Sequence, residues 1–136
     1  MSNRHEGKVA FITGGGSGIG RETALRLASE GARMVITDVN LEAASETVAL
    51  IEAAGGVAMA AQVDVRNRAQ IVAAADSAVA NWGAIHLLIN NAGLVTNHSL
   101  ADLTEDAWDL VVDVNLKGQF LVAQEVSQRI AAAGGG

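Results

Sequence analysis

Three sets of residues in this 136-residue chain have the types and spacing to do chemistry. The first is TGGGSGIG, Thr13–Gly20, a glycine-rich turn between a strand-like run and a helix-like one. A helix N-terminus carries unpaired N–H groups and partial positive charge, so it attracts phosphate. Gly14, Gly18 and Gly20 lack the Cβ that would hold a pyrophosphate away from that backbone, and Ser17 and Ile19 lie between them. A glycine-rich turn by itself is equally compatible with a plain tight turn. The strand–turn–helix setting favours phosphate.

The second is Asp38, at the end of the next strand-like run. A carboxylate there can accept both hydroxyls of an adenosine ribose and repel a 2′-phosphate. Taken alone, it is also an ordinary solvated strand end. No arginine stands at Ser17 or Val39 to hold a 2′-phosphate, so NAD is expected in preference to NADP. The third set is asparagine. Asn90 and Asn91 end a strand-like run and precede the small pair Ala92-Gly93, which leaves room for a ligand. Asn115, on an apolar helix face, must find polar partners or cost stability. By itself it reads as exposed or simply hydrogen-bonded.

Elements of two periods must position these residues. KVAFIT (Lys8–Thr13), RMVITD (Arg33–Asp38), VAMAAQV (Val57–Val63) and IHLLIN (Ile85–Asn90) read as buried strands. Between them lie a helix from Gly18 to Ser29, one with Leu41, Ala44, Val48 and Ile51 on its apolar face, and one marked by Ile71, Ala75, Val79 and Trp82. Thr104 caps a fourth, long helix with Glu105 and Asp106 in its first turn. Its apolar stripe is Trp108, Val112, Leu116, Phe120 and Ala123. The alternation makes the class α/β, with right-handed crossovers and a parallel sheet covered on both faces.

Composition narrows the function classes. Half the residues are hydrophobic and 18% are charged, which suits one globular domain over residues 1–136. A net charge of −6 with scattered basic residues argues against a nucleic-acid partner. No apolar run reaches membrane-spanning length, and the polar start MSNRHEGK has no signal-peptide core, so a cytoplasmic location is expected. With no cysteine there is neither a disulfide nor a thiolate metal site. No metal-ligand spacing appears. His5 reads as solvated, His86 as a hydrogen-bonded strand residue, and a His98/Ser99 site lacks an evident orienting acid. Trp82 and Trp108 read as packing residues.

Four motifs in order make the chain resemble the short-chain dehydrogenase/reductase family: TGGGSGIG on that family's TGxxxGxG, Asp64-Val65 after the third strand, NNAG (Asn90–Gly93) after the fourth, and VNLKG (Val114–Gly118) in the fourth helix. The resemblance implies a Rossmann-type doubly wound parallel sheet with strands ordered 3-2-1-4. It implies that Asp64 bonds the adenine amino group, with Val65 beside the ring. Asn91, Ala92 and Gly93 line the path of the cofactor ribose, Asn90 ties neighbouring strands, and the Asn115 carbonyl holds a water in a proton relay.

The same resemblance implies hydride transfer between NAD and an alcohol or carbonyl, driven by a Tyr-x-x-x-Lys pair and a serine beyond the fourth helix. This chain contains no tyrosine, and its lysines are Lys8 and Lys117. The expectation is therefore the NAD-binding half of such an oxidoreductase, short of its fifth strand and inactive alone. It should self-associate through the fourth strand and fourth helix. The alternatives are a non-catalytic dinucleotide-binding or self-assembling half-domain, and a methyltransferase, which NNAG and the TGxxxGxG spacing oppose.

Overall fold

The computed structural model describes residues 2–136. Four strands form its sheet: β1 (Val9–Ile12), β2 (Arg33–Asp38), β3 (Val57–Gln62) and β4 (Leu87–Ile89). They are parallel and ordered β3-β2-β1-β4, the expected order. Register is set by Val9 against Arg33, Ala10 against Leu87, and Arg33 against Val57. The strands end within two residues of the expected limits.

Alternation along β1 explains why this sheet is covered on both faces. Val9 and Phe11 point into one core with Val35, Ile71, Ala75, Val122 and Val126. Ala10 and Ile12 point into the other with Met34, Ile36, Ala24, Ala44 and Ile51. All four β1 residues are buried, so the strand is apolar throughout rather than alternating.

Helices α1 (Gly18–Ser29) and α2 (Leu41–Ala53) cover the second core. Helix α3 (Arg68–Trp82) and the last helical segment cover the first. Asn40 and Asn67 accept N-cap bonds from Ala43 N (3.1 Å) and Gln70 N (3.2 Å). Gly83 closes α3 in the left-handed conformation, as its place after Trp82 predicts.

The fourth helix departs from expectation. Thr104 caps it as expected, accepting from Ala107 N at 3.1 Å. It then runs as α4 (Glu105–Val112), a π turn (Asp113–Lys117) and α5 (Gly118–Ala132). One added residue rotates everything downstream by about 100° relative to an unbroken helix. The residues facing the core are therefore Gly118, Leu121, Val122 and Val126. The expected stripe is corrected: Trp108, Leu116 and Phe120 are exposed. Trp82 does pack, partly buried, against the first core. Ion pairs Arg68–Glu125 (2.5 Å) and Arg129–Asp76 (2.7 Å) tie α3 to α5.

Candidate functional site: a cleft at the carboxyl ends of the strands

Ser17 precedes α1 in extended conformation and makes no side-chain cap, whereas side chains cap α2, α3 and α4. The α1 N-terminus thus keeps its donors for something else. Gly14, at φ 63°, makes the turn, and a Cβ there would lie 2.9 Å from Asn91 Nδ2. At Gly20 a Cβ would strike the Gly14 carbonyl. A Cβ on Gly18, by contrast, would meet no atom within 4 Å. Below the turn, Thr47 Oγ1 donates to Gly15 O (2.9 Å), and Arg21 Nη2 donates to Gly16 O (2.5 Å) while pairing with Glu46 (3.0 Å).

A cleft of about 470 Å³ opens above this turn, within the size range of small-molecule sites. The glycine turn supplies Gly14, Ser17, Gly18 and Ile19. Asp38 and Val39 come from the end of β2, and Val63, Asp64, Val65 and Arg66 from the segment after β3. Asn91, Ala92, Gly93 and Leu94 follow β4, and Leu110 and Val114 close the helical side. Of the residues expected in a site, Gly20 and Asn115 lie outside the lining. Gly20 packs beneath the turn, and Asn115 stands behind Gly93.

Two carboxylates stand in the walls. Asp38 Oδ2 accepts from Gly16 N (3.0 Å), and its Oδ1 accepts from Asn40 N (3.0 Å). Each oxygen keeps acceptor capacity for a ligand. Asp64 is held by Arg66, whose backbone N (2.9 Å) and Nε (3.0 Å) donate to Oδ1 and whose Nη2 (2.7 Å) donates to Oδ2. The guanidinium hydrogen bond, opposed by partial burial, holds the Asp64 carboxyl below the usual carboxylate range and raises Arg66 in turn.

The asparagines divide their work differently from expectation. It is Asn91 that ties neighbouring strands: Nδ2 donates to Thr13 O (3.2 Å) and Gly14 O (3.1 Å), and its N donates to Thr13 Oγ1 (3.0 Å). Asn90 instead ties β4 to α5, Nδ2 donating to Gln119 O at 3.2 Å, while its Oδ1 is buried without a partner. Asn115 sits in the π turn and clamps Leu94, accepting from its N (2.9 Å) and donating to its O (2.8 Å).

His86 is structural, as expected, its Nδ1 accepting from Val9 N at 3.0 Å. His5 is partly exposed, and its Nε2 lies 3.4 Å from Glu30 Oε2. Ser99 Oγ donates to Asp102 Oδ2 at 2.6 Å in a local turn, with no histidine between them. Among the described residues no acidic and histidine cluster could hold a metal, and no helix is long and apolar enough to cross a membrane.

Sequence reasoning did not single out Val63, Arg66, Leu94, Leu110 or Val114. Arg66 and Leu94 directly follow the DV and NNAG motifs, a signal that could have found them. Val114 opens the VNLKG motif, which is the signal for it, whereas Leu110 lies one turn earlier on the same distant helix and nothing local marks it.

The sequence model of the family described as short chain dehydrogenase matches residues 8–136. A cyclohexanol dehydrogenase of Acinetobacter sp. (strain SE19) is 44% identical, over all of this chain and 55% of that protein. A D-threitol dehydrogenase of Mycolicibacterium smegmatis is 38% identical over 98% of this chain and 51% of the relative. Among solved structures, a hydroxysteroid dehydrogenase from Escherichia coli superposes with a TM-score of 0.92 at 34% identity, covering 98% of this chain and 57% of that one. The chain spans about half the length of the curated relatives it matches, and corresponds to their N-terminal portion. Enzymes of this family use NAD or NADP. With the glycine turn, the 3-2-1-4 sheet and the cleft at its carboxyl edge, this match establishes that the chain belongs to the short-chain dehydrogenase family.

Proposed function

We propose that residues 1–136 are the NAD-binding half of an oxidoreductase that transfers hydride between NAD and an alcohol or carbonyl. The observation that carries this is the convergence of the uncapped α1 N-terminus, Asp38 and Asp64 in one cleft. The pyrophosphate lies over Gly14, Ser17, Gly18 and Ile19, with Gly20 beneath keeping the turn tight. Asp38 accepts the adenosine ribose hydroxyls on the acceptor sites its backbone bonds leave open. Asp64 and Val65 take the adenine, and Asn91, Ala92 and Gly93 flank the nicotinamide-side ribose. The cofactor supplies the hydride chemistry; this chain's residues bind and orient it.

Asn115 positions the loop after β4 through Leu94, and a π turn at that place fits a backbone role in a proton relay. A chain without tyrosine has no group for the family's general acid/base step, so we expect it to be inactive on alcohols by itself. We place substrate oxidation in the complete protein, in the cytoplasm. A self-assembling, non-catalytic module is the second reading, favoured by the exposed Trp108, Leu116 and Phe120 and by a β4 that, among the described residues, pairs only with β1.

Calorimetric titration tests the leading reading. NAD should bind at least about tenfold more tightly than NADP, because Asp38 repels a 2′-phosphate. Adenosine diphosphate-ribose should bind nearly as well as NAD. Equal affinity for NAD and NADP would contradict the role of Asp38.

A further inference from the structure

The adenine end of the cleft contains a positively charged side chain that the family motifs do not cover. Asp64 lies in the cleft wall with 27% of its side chain exposed, and Arg66 grips it at both oxygens. An ionised carboxylate has about four acceptor sites, two on each oxygen. Oδ1 uses both of its sites on Arg66, one for the backbone N–H (2.9 Å) and one for Nε (3.0 Å). Oδ2 uses one, for Nη2 at 2.7 Å. A single site on Oδ2 remains. The two-pronged grip also fixes the plane of the carboxylate, which a lone point charge would not do.

That arrangement has a consequence for what the cleft accepts. An ionised carboxylate only accepts hydrogen bonds, so the open site suits a base edge presenting an N–H and repels one presenting a carbonyl oxygen. Leu110 and Val114 supply an apolar wall for a flat ring, and Asp113, next to Val114, adds attraction for the Arg66 guanidinium. We propose that Arg66 is a positioning residue for base recognition. By occupying three acceptor sites of Asp64 it leaves one for the ligand, and so selects a dinucleotide carrying adenine, with its exocyclic amino group, over one carrying hypoxanthine, with a carbonyl in that place. This rests on the dinucleotide reading of the cleft.

The loop does not need the guanidinium to hold its shape. Asp64 N donates to Gln70 Oε1 (2.7 Å), Asn67 N donates to Asp64 O (2.8 Å), and Val65 is buried. Arg66→Ala keeps these and the backbone bond to Oδ1. It frees the carboxylate to rotate and to be solvated.

The test is calorimetric titration of the chain, Arg66→Ala and Arg66→Lys with NAD and with nicotinamide hypoxanthine dinucleotide. The chain should prefer NAD by about tenfold or more, the size of a hydrogen bond to a charged group. Arg66→Ala should lose most of that preference through weaker NAD binding, with the hypoxanthine ligand little changed. Arg66→Lys, which restores charge but not the fork, should recover only part. Unchanged discrimination in Arg66→Ala overturns the proposal, as does equal weakening of both ligands, which would make Arg66 a general source of charge. Equal binding of both ligands by the unmodified chain overturns base selection while leaving the dinucleotide reading intact. If neither ligand binds the unmodified chain, the dinucleotide reading falls and this proposal with it.

Discussion

At Gly20 one methyl group is the difference between a closed turn and a collision. A Cβ there would meet the Gly14 carbonyl and lie 2.5 Å from Asn91 Nδ2, both held by other bonds. Gly20→Ala should therefore cost about 1–3 kcal/mol, the range for overpacking a filled site. Urea unfolding reads this as a lower midpoint at unchanged slope. A variant within about 0.5 kcal/mol of the parent would mean that the turn yields easily. The sequence shows that Gly14, Gly18 and Gly20 belong together, but not that they do different things. Gly20 is pressed by protein and Gly18 faces open space, and only the fold separates those two environments. Asp38 was legible because it combines with a motif elsewhere in the chain. Arg66 was not, because it acts through Asp64, two residues away, and otherwise looks like any exposed arginine.

Helical and strand elements were legible where one period holds throughout, as in α1, whose limits match Gly18 and Ser29 at both ends. The π turn was not, because the apolar spacing through Trp108, Val112, Leu116 and Phe120 reads as one unbroken helix. What marks the turn is tertiary. Gly118 lets the helix approach until a Cβ there would lie 2.5 Å from Val65 Cγ2, and Asn115 is turned onto the loop after β4. Asn115→Ala removes both of its bonds to Leu94 and should cost about 1–3 kcal/mol. Hydrogen exchange should show the Leu94 amide losing protection while α3 keeps its own. Loss of protection spread evenly over the chain would place Asn115 in general stability rather than in this clamp.

For the whole molecule, the sheet order was legible through the motifs, which fix where each strand must end for its residues to share one cleft. The fate of the N-terminal residues was not. Glu30, with 3% of its side chain exposed, gathers Arg4 (2.6 Å) and Arg26 (2.7 Å), and the residues before β1 are pinned to the end of α1. Hydrogen bonds from Arg4 and then Arg26 lower its pKa to about 2 from an ordinary 4.5. A depressed carboxyl contributes stability that is complete above the ordinary value and lost as pH falls through the folded one. Glu30→Gln should thus be less stable than the parent at neutral pH, and the gap should narrow between about 4.5 and about 2. A gap independent of pH in urea unfolding would show that Glu30 acts by packing alone. Self-association through the fourth strand and fourth helix was the expectation from sequence. Trp108, Leu116 and Phe120 are 60, 70 and 59% exposed on the helical side, and among the described residues β4 pairs with β1 alone. Apolar side chains grouped on one element, together with an unpaired strand edge, favour association. Sedimentation at tens of micromolar should show dimers or larger species, and Phe120→Glu should shift them towards monomer. If the parent is monomeric at that concentration, neither surface drives assembly; if Phe120→Glu leaves association intact, the open edge of β4 carries it without the helix.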